Sequence, residues 1–209
     1  MKNRLITQTT EYDCGPTSVV NALRFLYARE ELPPCLVKSV WTLCNDTFNM
    51  QGEHGKRGTS RAAMRYLCSW LNGFAEGCQF PIRAAYQDGD DAVIAPGSLV
   101  ETCLMQGGAA VVRCWSEHYR HYVLLTQLLE GHRVGIFDPY DEPDELVSQA
   151  PGLKIVRGEK YYNLILPMET MNLHGQTNYA LGDTEDREIL MLWRTADPIP
   201  GGGCPHDAT

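Results

Sequence analysis

Apolar residues recur along the first half of the chain at helical spacing. Val19, Ala22, Leu23 and Leu26 fall at i, i+3, i+4 and i+7, so they share one helix face. Gly15 and Pro16 stand at its start, where a missing proline N–H costs nothing, and Pro33-Pro34 closes the segment. Leu36, Val40, Trp41 and Cys44 predict a second helix over 35–44. Residues 45–58 are polar and glycine-containing and read as a loop. A third helix is expected over 60–71, with Thr59 or Ser60 as its cap. Ala63, Met64, Leu67 and Leu71 form its stripe, and Asn72-Gly73 is its stop. A short fourth helix is expected over 98–106, after Pro96-Gly97.

The pattern then changes. Residues 109–115 and 121–129 are β-rich apolar runs, Glu130-Gly131-His132 is a turn, and 133–137 is a return strand. Pairing 121–129 with 133–138 across that turn sets His121 near position 141, so His121 and Asp138 share one end of the hairpin. Residues 161–166 and 189–193 are further strand candidates, and 166–189 is polar and has no assigned element. Helices first and an antiparallel sheet second make the fold class α+β.

Charge narrows the partners. Eighteen basic against 26 acidic residues leave a net charge of −8, which disfavours nucleic acid and anionic membrane surfaces. No apolar run reaches the ~18–20 residues of a membrane span, so no membrane insertion is expected. The first residues lack the apolar stretch of a secretory signal. The eight cysteines include no Cys-x-x-Cys, so reduced thiols and a cytoplasmic protein are expected.

One cysteine stands apart. Cys14 precedes Gly15-Pro16 at a helix N-terminus, where unpaired N–H groups and the helix dipole favour a thiolate nucleophile. Gln8, six residues earlier, carries an amide that can donate to the oxygen that becomes negative in acyl transfer. His121 opens a strand, where its ring is better fixed than on a loop, and can serve as base. Asp138 can hold that ring in the required tautomer.

Gln8, the block Cys14-Gly15-Pro16-Thr17-Ser18, Gly58-Thr59-Ser60, His121-Tyr122-Val123 and Asp138-Pro139 together resemble the bacteriocin-processing peptidase-like family. These are papain-like cysteine peptidases that cut after a double-glycine leader. The resemblance covers roughly residues 5–145. It implies Gln8 as oxyanion donor, Cys14 as nucleophile, His121 as general base and acid, and Asp138 as the orienting group. It also implies N-terminal helices packed on a C-terminal antiparallel sheet, with a papain-like core over 1–145. Residues 146–197 are then an extension that completes or covers the sheet, and 198–209 a flexible tail.

The expected activity is hydrolysis of a peptide or protein substrate, with no cofactor and no metal. The same thioester chemistry serves transpeptidases, transglutaminases and deamidases, because an acyl-enzyme accepts any nucleophile that arrives. A non-catalytic peptide-binding module is the third reading. His118 is the alternative base, whereas His54 and the group Lys56, Arg57 and Arg61 read as solvated. Oligomeric state has no signature in the chain.

Overall fold

The computed structural model describes residues 3–140 and 150–196. Among these residues five α-helices and seven strands follow in order. α1 is Cys14–Leu26, α2 Pro34–Cys44 and α3 Arg61–Cys78. β1 is Ile82–Asp88, α4 Leu99–Met105, β2 Ala109–Ser116, β3 Tyr119–Leu129 and β4 Arg133–Phe137. β5 is Lys154–Ile155, β6 Leu164–Pro167, α5 Met168–Met171 and β7 Glu188–Arg194. The strands form one seven-stranded antiparallel sheet in the order β1-β7-β2-β3-β4-β6-β5.

Both faces of this sheet are covered, which is why its central strands read as continuous apolar runs. Along β2, Ala109 and Val111 face the core that holds α1, α2 and α3, whereas Ala110, Val112 and Cys114 face the core that holds α4. Along β3, Tyr122 and Leu124 face the first core, and Val123 and Leu125 the second. The mixed helix and antiparallel-sheet class agrees with the sequence pattern.

The β3–β4 hairpin has the expected register at its turn. Leu129 faces Arg133 and Gln127 faces Gly135. An irregularity between Leu125 and Gln127 then shifts the pairing by one, so that Leu124 faces Phe137.

Two expectations fail. Asn72-Gly73 does not end α3, which continues to Cys78 and stops at Gln79 in a left-handed conformation, φ 52°. Asn72 is instead a tertiary contact, donating to the Ala84 carbonyl at 3.0 Å and accepting from the Ala84 N–H at 2.9 Å. β1 is also unanticipated, and it places a strand among the helices. Residues 154–155, 164–167 and 188–194 pair into the same sheet as β1–β4. The boundary drawn at 145/146 and the tail 198–209 lie outside the described residues. Among the described residues no helix is long and apolar enough to cross a membrane.

Candidate active site

Cys14 is the first residue of α1 and is buried. Asp13 precedes it without a side-chain cap, because its Oδ2 accepts from the Thr9 hydroxyl at 2.9 Å. The first N–H groups of α1 are thus left without a capping carboxylate. Gly15 is required by its surroundings: a Cβ there would lie 2.1 Å from Thr59 Oγ1. The short Gly58-Thr59-Ser60 stretch therefore packs directly on the turn that presents Cys14. Ser60, not Thr59, caps α3, accepting from the Ala63 N–H at 3.0 Å.

His121 lies near the start of β3, which begins two residues before the expected strand. Its Nε2 is 2.7 Å from Asp138 Oδ1, and Cys14 lies close enough to the ring to favour its charged form. Nε2 is committed to Asp138, so Nδ1 is the ring nitrogen left over.

Asp138 follows β4 and is completely buried. Burial alone would push its carboxyl up. The His121 ring, the Nε2 bond, the Tyr140 N–H at 2.9 Å and the Tyr179 hydroxyl at 2.7 Å outweigh that and hold it below the ordinary range. The carboxylate is therefore an acceptor, and Nε2 carries the proton between them. For His121, burial alone disfavours the charged ring. The Asp138 charge, the Asp138 hydrogen bond and Cys14 outweigh burial and hold the imidazole well above its ordinary value. Asn163 fixes the Asp138 backbone from both sides, accepting from its N–H and donating to its carbonyl, each at 2.8 Å.

Gln8 is drawn to the same end of the sheet. Its backbone N–H donates to the Pro139 carbonyl at 2.8 Å. Its side-chain Nε2 donates to the Thr10 carbonyl at 2.9 Å, and its Oε1 is buried without a partner.

The structure thus pairs His121 with Asp138, sets Cys14 near the ring, and ties Gln8 to Pro139 with its amide engaged locally. His118 sits exposed on the β2–β3 turn, and His54 and His174 are also exposed. Among the described residues no three His, Cys, Asp or Glu side chains converge as a metal site, and no disulfide joins the seven described cysteines.

Three contributors escaped the sequence reading: Tyr179, Asn163 and the Tyr140 N–H. Asn163 and the Tyr140 amide act through contacts that periodicity does not report. Tyr179 lies in the stretch 166–189, where the only signal is the short apolar group Tyr179-Ala180-Leu181.

No family model matches the chain, and no curated protein matches it. Among solved structures, the peptidase domain of Streptococcus ComA, a bi-functional ABC transporter involved in quorum sensing, is similar over 92% of this chain and 98% of that one. The two share 12% identity at a TM-score of 0.44, so any functional reading has to rest on the side chains themselves.

Proposed function

We propose that this protein is a papain-like cysteine peptidase that hydrolyses a peptide bond through Cys14, His121 and Asp138. The observation that supports this is the buried His121–Asp138 pair with Cys14, at the start of α1, close to the ring. Cys14 gives its proton to His121, and its sulfur attacks the peptide carbonyl carbon. The tetrahedral oxyanion is held by the Cys14 backbone N–H and by the Gln8 amide, once the latter turns from the Thr10 carbonyl. His121 then protonates the leaving nitrogen as the C–N bond breaks, which leaves a thioester on Cys14. Water adds to the thioester, His121 takes its proton, and the acid is released with the thiol restored. Asp138 holds Nε2–H throughout and balances the ring's charge in the two transition states.

The resemblance carried by Gln8, Cys14-Gly15-Pro16, Gly58-Thr59-Ser60 and Asp138-Pro139 directs the substrate proposal to peptides cut after a double glycine. The proposed compartment is the cytoplasm, where reducing conditions keep a thiol nucleophile available. Recovery of the native protein from an oxidising compartment would overturn that part.

The test is a peptide-library digest read by mass spectrometry. The library includes sequences with Gly-Gly before the cut. Cys14→Ala and His121→Ala are expected to reduce turnover to background, and the double variant to be no worse than either. Asp138→Asn is expected to leave a measurable residue. Turnover surviving in Cys14→Ala would end the proposal, and cleavage indifferent to Gly-Gly would end the substrate assignment alone.

A further inference from the structure

Only one oxygen of Asp138 faces His121. Oδ1 takes the His121 Nε2 contact at 2.7 Å and the Tyr140 N–H at 2.9 Å, whereas Oδ2 accepts from the Tyr179 hydroxyl at 2.7 Å. Tyr179 is completely buried, and burial, then the Asp138 charge, push its hydroxyl pKa far up, so it stays a donor. Its backbone sits at φ 63°, a left-handed conformation that bulky residues seldom adopt. Such a conformation persists where the surroundings over-determine it.

Here they do. The Tyr179 N–H donates to the Trp115 carbonyl at 2.7 Å, and the Trp115 N–H returns to Ala180 at 2.8 Å. Leu181 N–H donates to the Met171 carbonyl at 2.7 Å, and Arg120 Nη1 to the Leu181 carbonyl at 3.1 Å. Residues 179–181 are thus strapped across the ends of β2 and β3, where β3 delivers His121.

We propose that Tyr179 is a positioning residue of the site: its O–H fixes the plane of the Asp138 carboxylate, draws charge toward Oδ2, and so governs how Oδ1 holds His121. This rests on the peptidase reading of Cys14, His121 and Asp138. A carboxylate shares one charge between two oxygens, so a donor at Oδ2 competes with the Nε2–H at Oδ1. Removing that donor makes Oδ1 the stronger acceptor, and His121 keeps its proton to higher pH. Removing the Asp138 charge has the opposite sign. The titratable groups that face this pair are Cys14 from α1, Cys114 from β2 and Tyr179 itself.

The experiment uses the full chain with two changes at position 179: Tyr179→Phe, and a ring-fluorinated tyrosine that keeps the hydroxyl as a stronger donor. The His121 titration is followed by NMR without substrate. Tyr179→Phe is expected to move the His121 midpoint up and the fluorinated residue to move it down. In turnover, Tyr179→Phe is expected to lower kcat roughly 10-fold, as for other groups that orient a buried histidine, with KM close to unchanged. A merely structural tyrosine would lower Tm and leave the titration where it was. If Tyr179→Phe fails to fold, the fluorinated variant, which keeps size and hydroxyl, still reports. An unmoved midpoint in a folded variant would overturn the inference. Turnover surviving in Cys14→Ala, with the midpoints still moving, would instead overturn the peptidase reading alone.

Discussion

Gln8 donates its backbone N–H to the carbonyl of Pro139 at 2.8 Å, tying the segment before Cys14 to the residue after Asp138. The chain thereby closes a loop around this end of the sheet. In the proposed mechanism the Gln8 side chain turns away from Thr10 to present its amide. Gln8→Ala keeps the backbone bond and removes the amide. It is expected to cost on the order of 10²–10³ in kcat, or about 3–4 kcal/mol, with substrate affinity nearly unchanged. Steady-state kinetics decides it. A raised KM with kcat untouched would make Gln8 a ground-state contact instead.

The cysteines differ in a way that alkylation can read. Burial pushes the Cys103 thiol up to about 12, and burial likewise raises Cys44, Cys68 and Cys114. These four are expected to be inert to a short iodoacetamide pulse near pH 7. Cys14 has His121 in contact and is expected to react first, with half-exposed Cys35 and Cys78 as its competitors. His121→Ala is expected to slow Cys14 and leave the other two alone. Mass mapping that finds Cys35 and Cys78 modified and Cys14 untouched would count against a nucleophile at 14.

The buried pair makes stability depend on pH with a definite sign. His121 binds its proton more tightly folded than unfolded, so its contribution is complete below the unfolded value of about 6.5. It is lost as pH rises through the elevated folded value. Asp138 is held low, so its contribution is complete above about 3.9 and is lost as pH falls through the depressed folded value. Both are present between roughly pH 4 and 6.5. Asp138→Asn is therefore expected to lose most in that window, on the order of 3 kcal/mol, or about 6–12 °C in Tm for a chain of this size. The gap should narrow on either side. Melting curves across pH test this, and a gap constant from acid to alkali would show that the pair does not set it.

What could be read in the chain was local or hairpin-linked. The apolar stripe of α1, the cap at Ser60 and the turn at Glu130–His132 are all short-range patterns. The hairpin register then carried His121 toward Asp138 without further information. Long-range contacts were not legible. Asn72-Gly73 has the letters of a helix stop, yet Asn72 finds its partners on β1, twelve residues away, and α3 runs on. Arg61 reads as solvated beside Lys56 and Arg57, yet its guanidinium binds the carbonyls of Glu185 and Arg187. Tyr179 offers no periodicity at all, because a single strapped residue with a left-handed backbone has no pattern to leave.

On the ribosome, β1 and β2 emerge long before the strand that joins them. β7 lies between them in the sheet but follows every other element among the described residues. Until residues 188–194 are synthesised, Ile82–Asp88 has no pairing partner, and Tyr86 and Tyr122 lack the Glu188 carboxylate that accepts both their hydroxyls. A nascent chain already holding Cys14, His121 and Asp138 is thus still without β7, through which β1 joins the sheet. Chains stopped before Glu188 are expected to show a Cys14 no more reactive than an ordinary thiol, and full reactivity in them would show that the site closes without β7. Vectorial synthesis would in this way keep the proposed peptide-cutting thiol inactive beside its own emerging chain until translation is nearly done.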